Sequence, residues 1–303
     1  MNSVKEIPPT AWYNSSLFCT VCNLVKAVGA LLPILTSILI ASTSTHASDE
    51  LHIHLLDVGQ GDAMILHQPD GCTVLIDAGP VINGHLLTHH LTEMSVRSLD
   101  MVIVSHPHLD HFGGLFDLLP RIPARRLYDN GLANNSWEYF DDYQALRTAQ
   151  PYEVLARGRT LQCGTIEIDI LHPEAHPNAE DKINNNSLAM MIRFNDFRLL
   201  HMGDLAGDGA AGFLKTSPDL EADLIKIAHH GASDSASPHL LELVAPDLAL
   251  ISTASSNRIG SPDKKALARL EKMNIPYLRT DLNGDITILV GGGSYKAVPA
   301  ISK

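Results

Sequence analysis

A chain of 303 residues, 45% of them apolar, can bury a sizeable core in one large domain or two small ones. Its net charge of −12 excludes broad, non-specific attraction to nucleic acid, which requires a basic surface. Chemistry on phosphate stays open, because bound divalent cations reverse the sign of the field locally.

The first element is a leader. Lys26 precedes the apolar run Ala27–Ala41, and Thr45-His46-Ala47 offers small residues for cleavage. The pattern predicts a secretory signal peptide over residues 1–47, with an uncleaved membrane anchor as the alternative. The remaining domain, 48–303, is expected to be exported and to carry no stable membrane span. Cys19 and Cys22 fall in the leader, where their spacing is read as chance. Cys72 and Cys163 remain, and whether they pair is open.

Leu51–Val58 alternates and predicts a strand with His52 and His54 on one exposed face. Ala63–His67 and Thr73–Ile76 predict two more strands around the turn Pro69-Asp70-Gly71. The spacing of Leu86–Met94 predicts a helix. Met101–Val104 is an apolar, β-branched run, read as a buried strand. It leads into Ser105-His106-Pro107-His108-Leu109-Asp110-His111-Phe112-Gly113-Gly114. A helix is expected from Leu115, a strand at Arg125–Tyr128, and a polar helix over Asn134–Ala149. The aromatics of that helix, Trp137, Tyr139, Phe140 and Tyr143, line either a groove or, as expected, the core. Thr165–Leu171, Leu188–Phe194 and Phe197–His201 predict strands, the last running into Met202-Gly203-Asp204. A helix starts at Gly209. Leu224–Ala228 predicts a strand ending at His229-His230-Gly231, and Leu248–Ser252 a strand followed by a Ser/Asn-rich loop. Ala266–Met273 is helical in spacing, and Asp285–Val290 is read as the last strand. Strands that alternate with helices and end in Asp or His fit a sandwich of two mixed sheets, helices outside, with a site along one edge.

The chemistry gathers on one loop. H-x-H-x-D-H places four metal-capable side chains within six residues, so one loop can serve two adjacent metal positions. The candidate ligands are His106, His108, Asp110, His111, Asp204, and His229 or His230. Imidazole and carboxylate without thiolate suit Zn²⁺, Mn²⁺ or iron. Asp204 could bridge two ions. Asp77, at the end of an apolar strand, is expected to hold a ligand histidine by a hydrogen bond.

This order of strand–Asp, H-x-H-x-D-H, strand–Asp and strand–His resembles the metallo-β-lactamase superfamily of metal-dependent hydrolases. The finer resemblance is to the hydrolase domain of ComEC-type competence proteins. It rests on Leu56-Asp57-Val58-Gly59-Gln60-Gly61-Asp62, Asp77-Ala78-Gly79, the His-rich loop, Asn185-Asn186-Ser187-Leu188, Leu200-His201-Met202-Gly203-Asp204, His229-His230-Gly231-Ala232-Ser233 and Thr280-Asp281-Leu282-Asn283-Gly284. The resemblance implies an α/β (α+β) fold, an αβ/βα sandwich, with two divalent ions, Zn or Mn. His106 and His108 would hold one ion, Asp110 and His111 the second, with Asp204 between them. His229, directly after its strand, is the expected last ligand, and His230 is close enough to share or exchange the role. Asp110 and His230 are the residues expected to act in catalysis. Asp57, Asp77, Asn185 and Asn186 would stand behind the ligands.

Two departures follow. Asn185-Asn186-Ser187 occupies a place where many members carry another His, so the His106/His108 ion is expected to be weaker. His172 and His176 lie nearby in a loop and could substitute. Gly260-Ser261-Pro262 stands where related sequences often have Gly-His-Pro. If that His contacts phosphate or protonates a leaving group, the role is missing here or moved to Ser255, Asn257 or Arg258.

The expected activity is metal-dependent cleavage of a phosphoester by metal-bound hydroxide, on extracellular DNA or an envelope polymer. Hydrolysis of a lactone, β-lactam or thioester is the alternative within the same chemistry. A non-catalytic metal-binding module is the alternative outside it.

Overall fold

The computed structural model describes residues 49–133, 139–174, 182–217, 219–257 and 260–301. The leader, Trp137, His176 and Arg258 lie outside the described residues. In chain order the strands are β1 (Leu51–Leu55), β2 (Met64–His67), β3 (Thr73–Ile76), β4 (Met101–Ile103), β5 (Leu127–Asp129), β6 (Tyr152–Val154), β7 (Thr160–Cys163) and β8 (Ile166–His172). They continue as β9 (Ala189–Phe194), β10 (Phe197–His201), β11 (Leu224–Lys226), β12 (Leu248–Ile251), β13 (Tyr277–Arg279), β14 (Ile286–Gly291) and β15 (Ser294–Pro299). One sheet has the order β15-β14-β1-β2-β3-β4-β5-β6, and the other β13-β12-β11-β10-β9-β8-β7.

Each sheet is antiparallel in one half and parallel in the other. β1–β2–β3 pair antiparallel and β3–β4–β5–β6 parallel. β7–β8–β9–β10 pair antiparallel and β10–β11–β12–β13 parallel. Parallel strands need both faces covered, and β3 and β12 are accordingly buried at every residue. Between the sheets lie Ile53, Leu66, Val74 and Ile76 from one side and Ile168, Met190, Ile192 and Leu250 from the other. Helices α1 (Gly84–Glu93), α2 (Leu109–Phe112), α3 (Leu115–Leu118) and α4 (Phe140–Thr148) cover the outer face of the first sheet. Helices α5 (Gly207–Thr216), α6 (Pro238–Val244) and α7 (Lys264–Lys272) cover the second. A short α8 (Thr280–Asn283) follows β13. The αβ/βα sandwich is thus present, and its parallel halves direct their C-terminal ends to one edge, where α/β folds place chemistry. No helix among the described residues is long and apolar enough to cross a membrane.

Several elements differ from expectation. Asp285–Val290 is not the last strand, because β15 folds back on β14 across Gly292-Gly293, both at positive φ. Its alternating half-exposed pattern gives little apolar signal. The three-residue strands β6 and β13 lie at or next to sheet edges and are equally faint. Helix α6 carried a readable start: Ser237 caps it by accepting from the Leu240 amide, and Pro238 sits in its first turn. The aromatics of α4 cover the core. Tyr143 stacks on Phe112 with centroids 4.3 Å apart, and its hydroxyl donates to Asp129 at 2.8 Å. Cys72 and Cys163 form a disulfide.

His52 and His54 sit half-buried on β1, where His54 Nδ1 meets Thr287 Oγ1 at 3.0 Å. Burial, with His52, His67 and His90 adding to it, lowers the His54 pKa to about 4. As pH falls, the unfolded chain therefore takes up this proton first. Stability from the group is complete above the ordinary value of 6.5 and is lost as pH falls to about 4. On the order of 3 kcal/mol is at stake. His54→Gln is expected to flatten the dependence of the urea midpoint on pH in that window. A difference between wild type and variant that stays constant from pH 6.5 to 4 would refute this.

Candidate metal centre

Five strand ends build the site. Asp77 follows β3, Ser105 and His106 follow β4, Asp204 follows β10, His229 and His230 follow β11, and Ser252 follows β12. His108, Asp110 and His111 come from the loop into α2. Two glycines let the loops close on one another. A Cβ on Gly61 would lie 2.3 Å from the Asp110 carbonyl, and one on Gly114 would lie 2.1 Å from that of Ala78. The Asp62 amide then reaches the Asp110 carbonyl at 3.2 Å, and the Ala78 amide reaches that of His111 at 2.6 Å.

The hydrogen bonds fix which ring nitrogen faces inward. Asp77 accepts the Ser105 amide at 2.7 Å, the Ser105 hydroxyl at 2.7 Å and His111 Nδ1 at 2.9 Å. His111 Nδ1 therefore carries a hydrogen, and Nε2 faces Asp204 Oδ2 at 3.3 Å. The one hydroxyl hydrogen of Ser105 goes to Asp77, so its oxygen accepts from His106 Nδ1 at 3.0 Å. That leaves His106 Nε2 as a lone pair 2.9 Å from His108 Nδ1 and 3.6 Å from Asp204 Oδ2. His230 Nδ1 donates to the Ser252 carbonyl at 3.2 Å. Its Nε2 then lies 3.5 Å from Asp110 Oδ2 and 3.7 Å from Asp204 Oδ2.

Imidazole lone pairs aimed at carboxylates repel unless a cation stands between them. Among the described residues, His111 Nε2, His230 Nε2 and Asp204 Oδ1 are buried without a hydrogen-bond partner. The donor atoms of His106, His111 and Asp204 lie within 4.8 Å of one another, as do those of Asp110, His111 and His230. The residues fit divalent ions with nitrogen and oxygen ligands.

Electrostatics agree. Burial would lower the His111 pKa, but Asp204, Asp77 and Asp110 outweigh it and hold it well above the usual range. Burial also opposes the His230 proton, yet the nearby carboxylates of Asp204, Asp110 and Asp62 push its pKa up to about 9. Burial would raise Asp204, but His111 and His230 hold it well below the carboxylate range. Burial and the neighbouring His111 charge keep His106 neutral, and burial lowers His108 in the same way. Protons on His111 and His230 thus occupy the place that metal ions would take.

The structure brings together His106, His108, Asp110, His111, Asp204 and His230. It places His230, and not His229, among the carboxylates. His229 and His230 are both left-handed, with φ of 49° and 54°, and their rings meet edge-on with centroids 6.0 Å apart. His229 lines the same cavity of about 400 Å³ as His108, Asp110, Asp204 and His230, with Nε2 3.3 Å from Asn184 Nδ2. Asp57 is exposed and its carboxylate accepts from the Gly59 amide. It does not stand behind the ligands; Asp62 of the same stretch does. Asn185 faces Gly209 of α5, and Asn186 is held by Asn130, which donates to its carbonyl at 2.7 Å. Asn184 is the member of that run on the cavity wall. His172 Nδ1 meets the Ser187 carbonyl at 2.9 Å and supplies no ligand to the cluster. Ser255 is exposed, and Asn257 ties its own loop by bonds to Ala254 and Ser261. Neither lines the cavity. Residue reasoning assigned no role to Asp62, Ser105, Asn184 or Lys226. A lysine within the apolar run Leu224–Ala228 was the readable signal for the last.

Two mixed sheets, outer helices and a His/Asp cluster at the strand ends define a metallo-β-lactamase fold. A family model described as the metallo-beta-lactamase superfamily matches residues 56–255, and the chain belongs to that superfamily. Its fold supports metal-dependent hydrolysis. The chain is 30% identical over 261 residues to ComE operon protein 3 of Bacillus subtilis, covering 79% of this chain and 33% of that protein. It is 26% identical over 251 residues to competence protein ComA of Neisseria gonorrhoeae, covering 82% of this chain and 34% of the relative. The chain therefore spans about a third of the length of these relatives. Among solved structures, the metallo-beta-lactamase fold protein YhfI of Bacillus subtilis superposes with a TM-score of 0.53. That match has 16% identity and covers 83% of this chain and all of YhfI.

Proposed function

We propose that the chain is an exported metal-dependent phosphodiesterase acting on a phosphoester polymer, DNA being the first candidate. The observation that carries this is the convergence of the His106, His111 and His230 lone pairs on Asp204, with Asp110 beside them. The names of the relatives add competence to that chemistry. The disulfide fits an oxidising compartment and so favours export. Divalent ions held by His106, His108, Asp110, His111, Asp204 and His230 would acidify water and absorb charge developing on phosphorus. Zn²⁺ and Mn²⁺ both suit these donors.

The chain's own residues do the rest. Asp77 and Ser105 hold His111 and His106 in the tautomers that offer Nε2 inward. Asp110, 29% exposed at its side chain, is the more exposed of the two carboxylates that line the cavity and stands opposite His230. Asn184 and His229 line the wall, where they can donate hydrogen bonds to phosphate oxygens.

Purified protein with Mn²⁺ or Zn²⁺ is expected to hydrolyse bis(p-nitrophenyl) phosphate. Asp110→Ala is expected to lower that rate by about 100-fold or more. A rate unchanged by Asp110→Ala would sink the mechanism. Turnover of lactones or nitrocefin without phosphodiesterase activity would transfer the same site to carbonyl substrates. Bound metal without any turnover would mark a binding module.

A further inference from the structure

Lys226 ends β11 and is wholly buried. In register it pairs with His201 on one side and Leu250 on the other, and Leu250 faces the core between the sheets. A lysine in such a strand needs a partner, because an isolated buried ammonium is costly. It has two. Its ammonium forms an ion pair with Asp62 Oδ2, carried on a loop of the opposite sheet, and lies 3.3 Å from the Gly203 carbonyl. Asp62 is itself buried, with Oδ1 3.6 Å from His230 Nδ1 and Oδ2 3.8 Å from His111 Nδ1. Gly203 immediately precedes Asp204. The one ammonium thus braces the carboxylate behind two ligand histidines and the turn that presents the shared carboxylate. Asp62, Asp77 and His201 also hold donor atoms within 4.8 Å of one another, a third group able to take a cation. The Lys226 ammonium already pairs with Asp62, one of the three.

We infer that Lys226 is a positioning residue of the metal centre, a fixed counter-cation beneath it that holds the Asp62 charge against His230 and His111 and steadies the Gly203 turn that presents Asp204. The inference rests on the reading that the His/Asp cluster holds divalent ions. The competing reading is that Lys226 and Asp62 only clamp the two sheets.

Co²⁺ binding, followed by visible absorption and chelator competition, separates the two when thermal stability is measured alongside. Lys226→Met is expected to weaken Co²⁺ binding about 10- to 100-fold, the usual cost of losing an orienting partner behind a ligand. The double variant Asp62→Asn/Lys226→Met removes both charges and keeps the bulk, so it is expected to fold with a Tm near that of wild type. It is expected to remain at least about 10-fold weaker for Co²⁺. It carries the test alone if Lys226→Met does not fold. Wild-type affinity in the double variant overturns the inference and leaves the metal reading intact. A wild-type chain that takes up no Co²⁺ overturns both.

Discussion

Asp204→Asn is expected to empty the centre and lower turnover at least about 1,000-fold, with the fold intact. Asp204 Oδ2 lies 3.3 Å from His111, 3.6 Å from His106 and 3.7 Å from His230. Among the described residues it is the carboxylate whose ion-pair contacts reach both His106 and His230. Asparagine has the same shape but no charge, and its amide would present either hydrogen donors or a neutral, weaker acceptor oxygen to the site. Loss of the charge also removes the largest upward influence on the pKa of both His111 and His230. A loss of about 4 kcal/mol of charge stabilisation corresponds to the factor of about 1,000. Metal content by mass spectrometry of the inorganic elements, circular dichroism and the rate on bis(p-nitrophenyl) phosphate measure the three parts separately. A variant that keeps full metal content and loses less than about tenfold in rate would show that Asp204 is not the shared ligand.

Much of this centre is legible in the chain because it is local. The four candidate donors His106, His108, Asp110 and His111 lie on one short loop, where their spacing marks them. Asp77 and Asp204 are readable because buried parallel strands show as apolar runs, and the residue that stops such a run is conspicuous. What escapes is whatever depends on distant pairing. The position of His230 beside the carboxylates is held by the Ser252 carbonyl, which a separate strand delivers. Asp62 and Lys226 meet across the two sheets, 164 residues apart in sequence. Asn184, and not Asn185 or Asn186, lines the cavity because the run forms a 3₁₀ turn, in which each residue points about 120° from the last. Asp57 and Asp62 share a stretch of sequence, and only the closure of Gly61 on Asp110 decides which of them lies behind the ligands. The sheets follow the same division. Central strands are apolar and legible; β6, β13 and β15 are short or wet on one face.

Reduction of the disulfide is expected to cost about 3 to 4 kcal/mol of stability and to lower Tm by about 10 °C, without weakening metal binding. Cys72 immediately precedes β3 of the first sheet and Cys163 ends β7 of the second, so the bond joins the two layers. The cysteines are 91 residues apart in sequence, and a loop of that length restricts the unfolded chain strongly. Its Cα atoms are 5.6 Å apart, within the range that a disulfide spans. The bond has local support: Gln68 Nε2 donates to Thr165 Oγ1 at 2.8 Å beside it. It lies at the start of β3, the end opposite Asp77, so its loss reaches the centre only through global unfolding. Cys72→Ser/Cys163→Ser and reduced wild type should therefore show the same lowered urea midpoint and the Co²⁺ affinity of the oxidised protein. An unchanged midpoint would mean that the apolar core between the sheets alone decides stability. A midpoint that fell together with Co²⁺ affinity under native conditions would place the disulfide in the support of the metal centre, against the separation that β3 imposes.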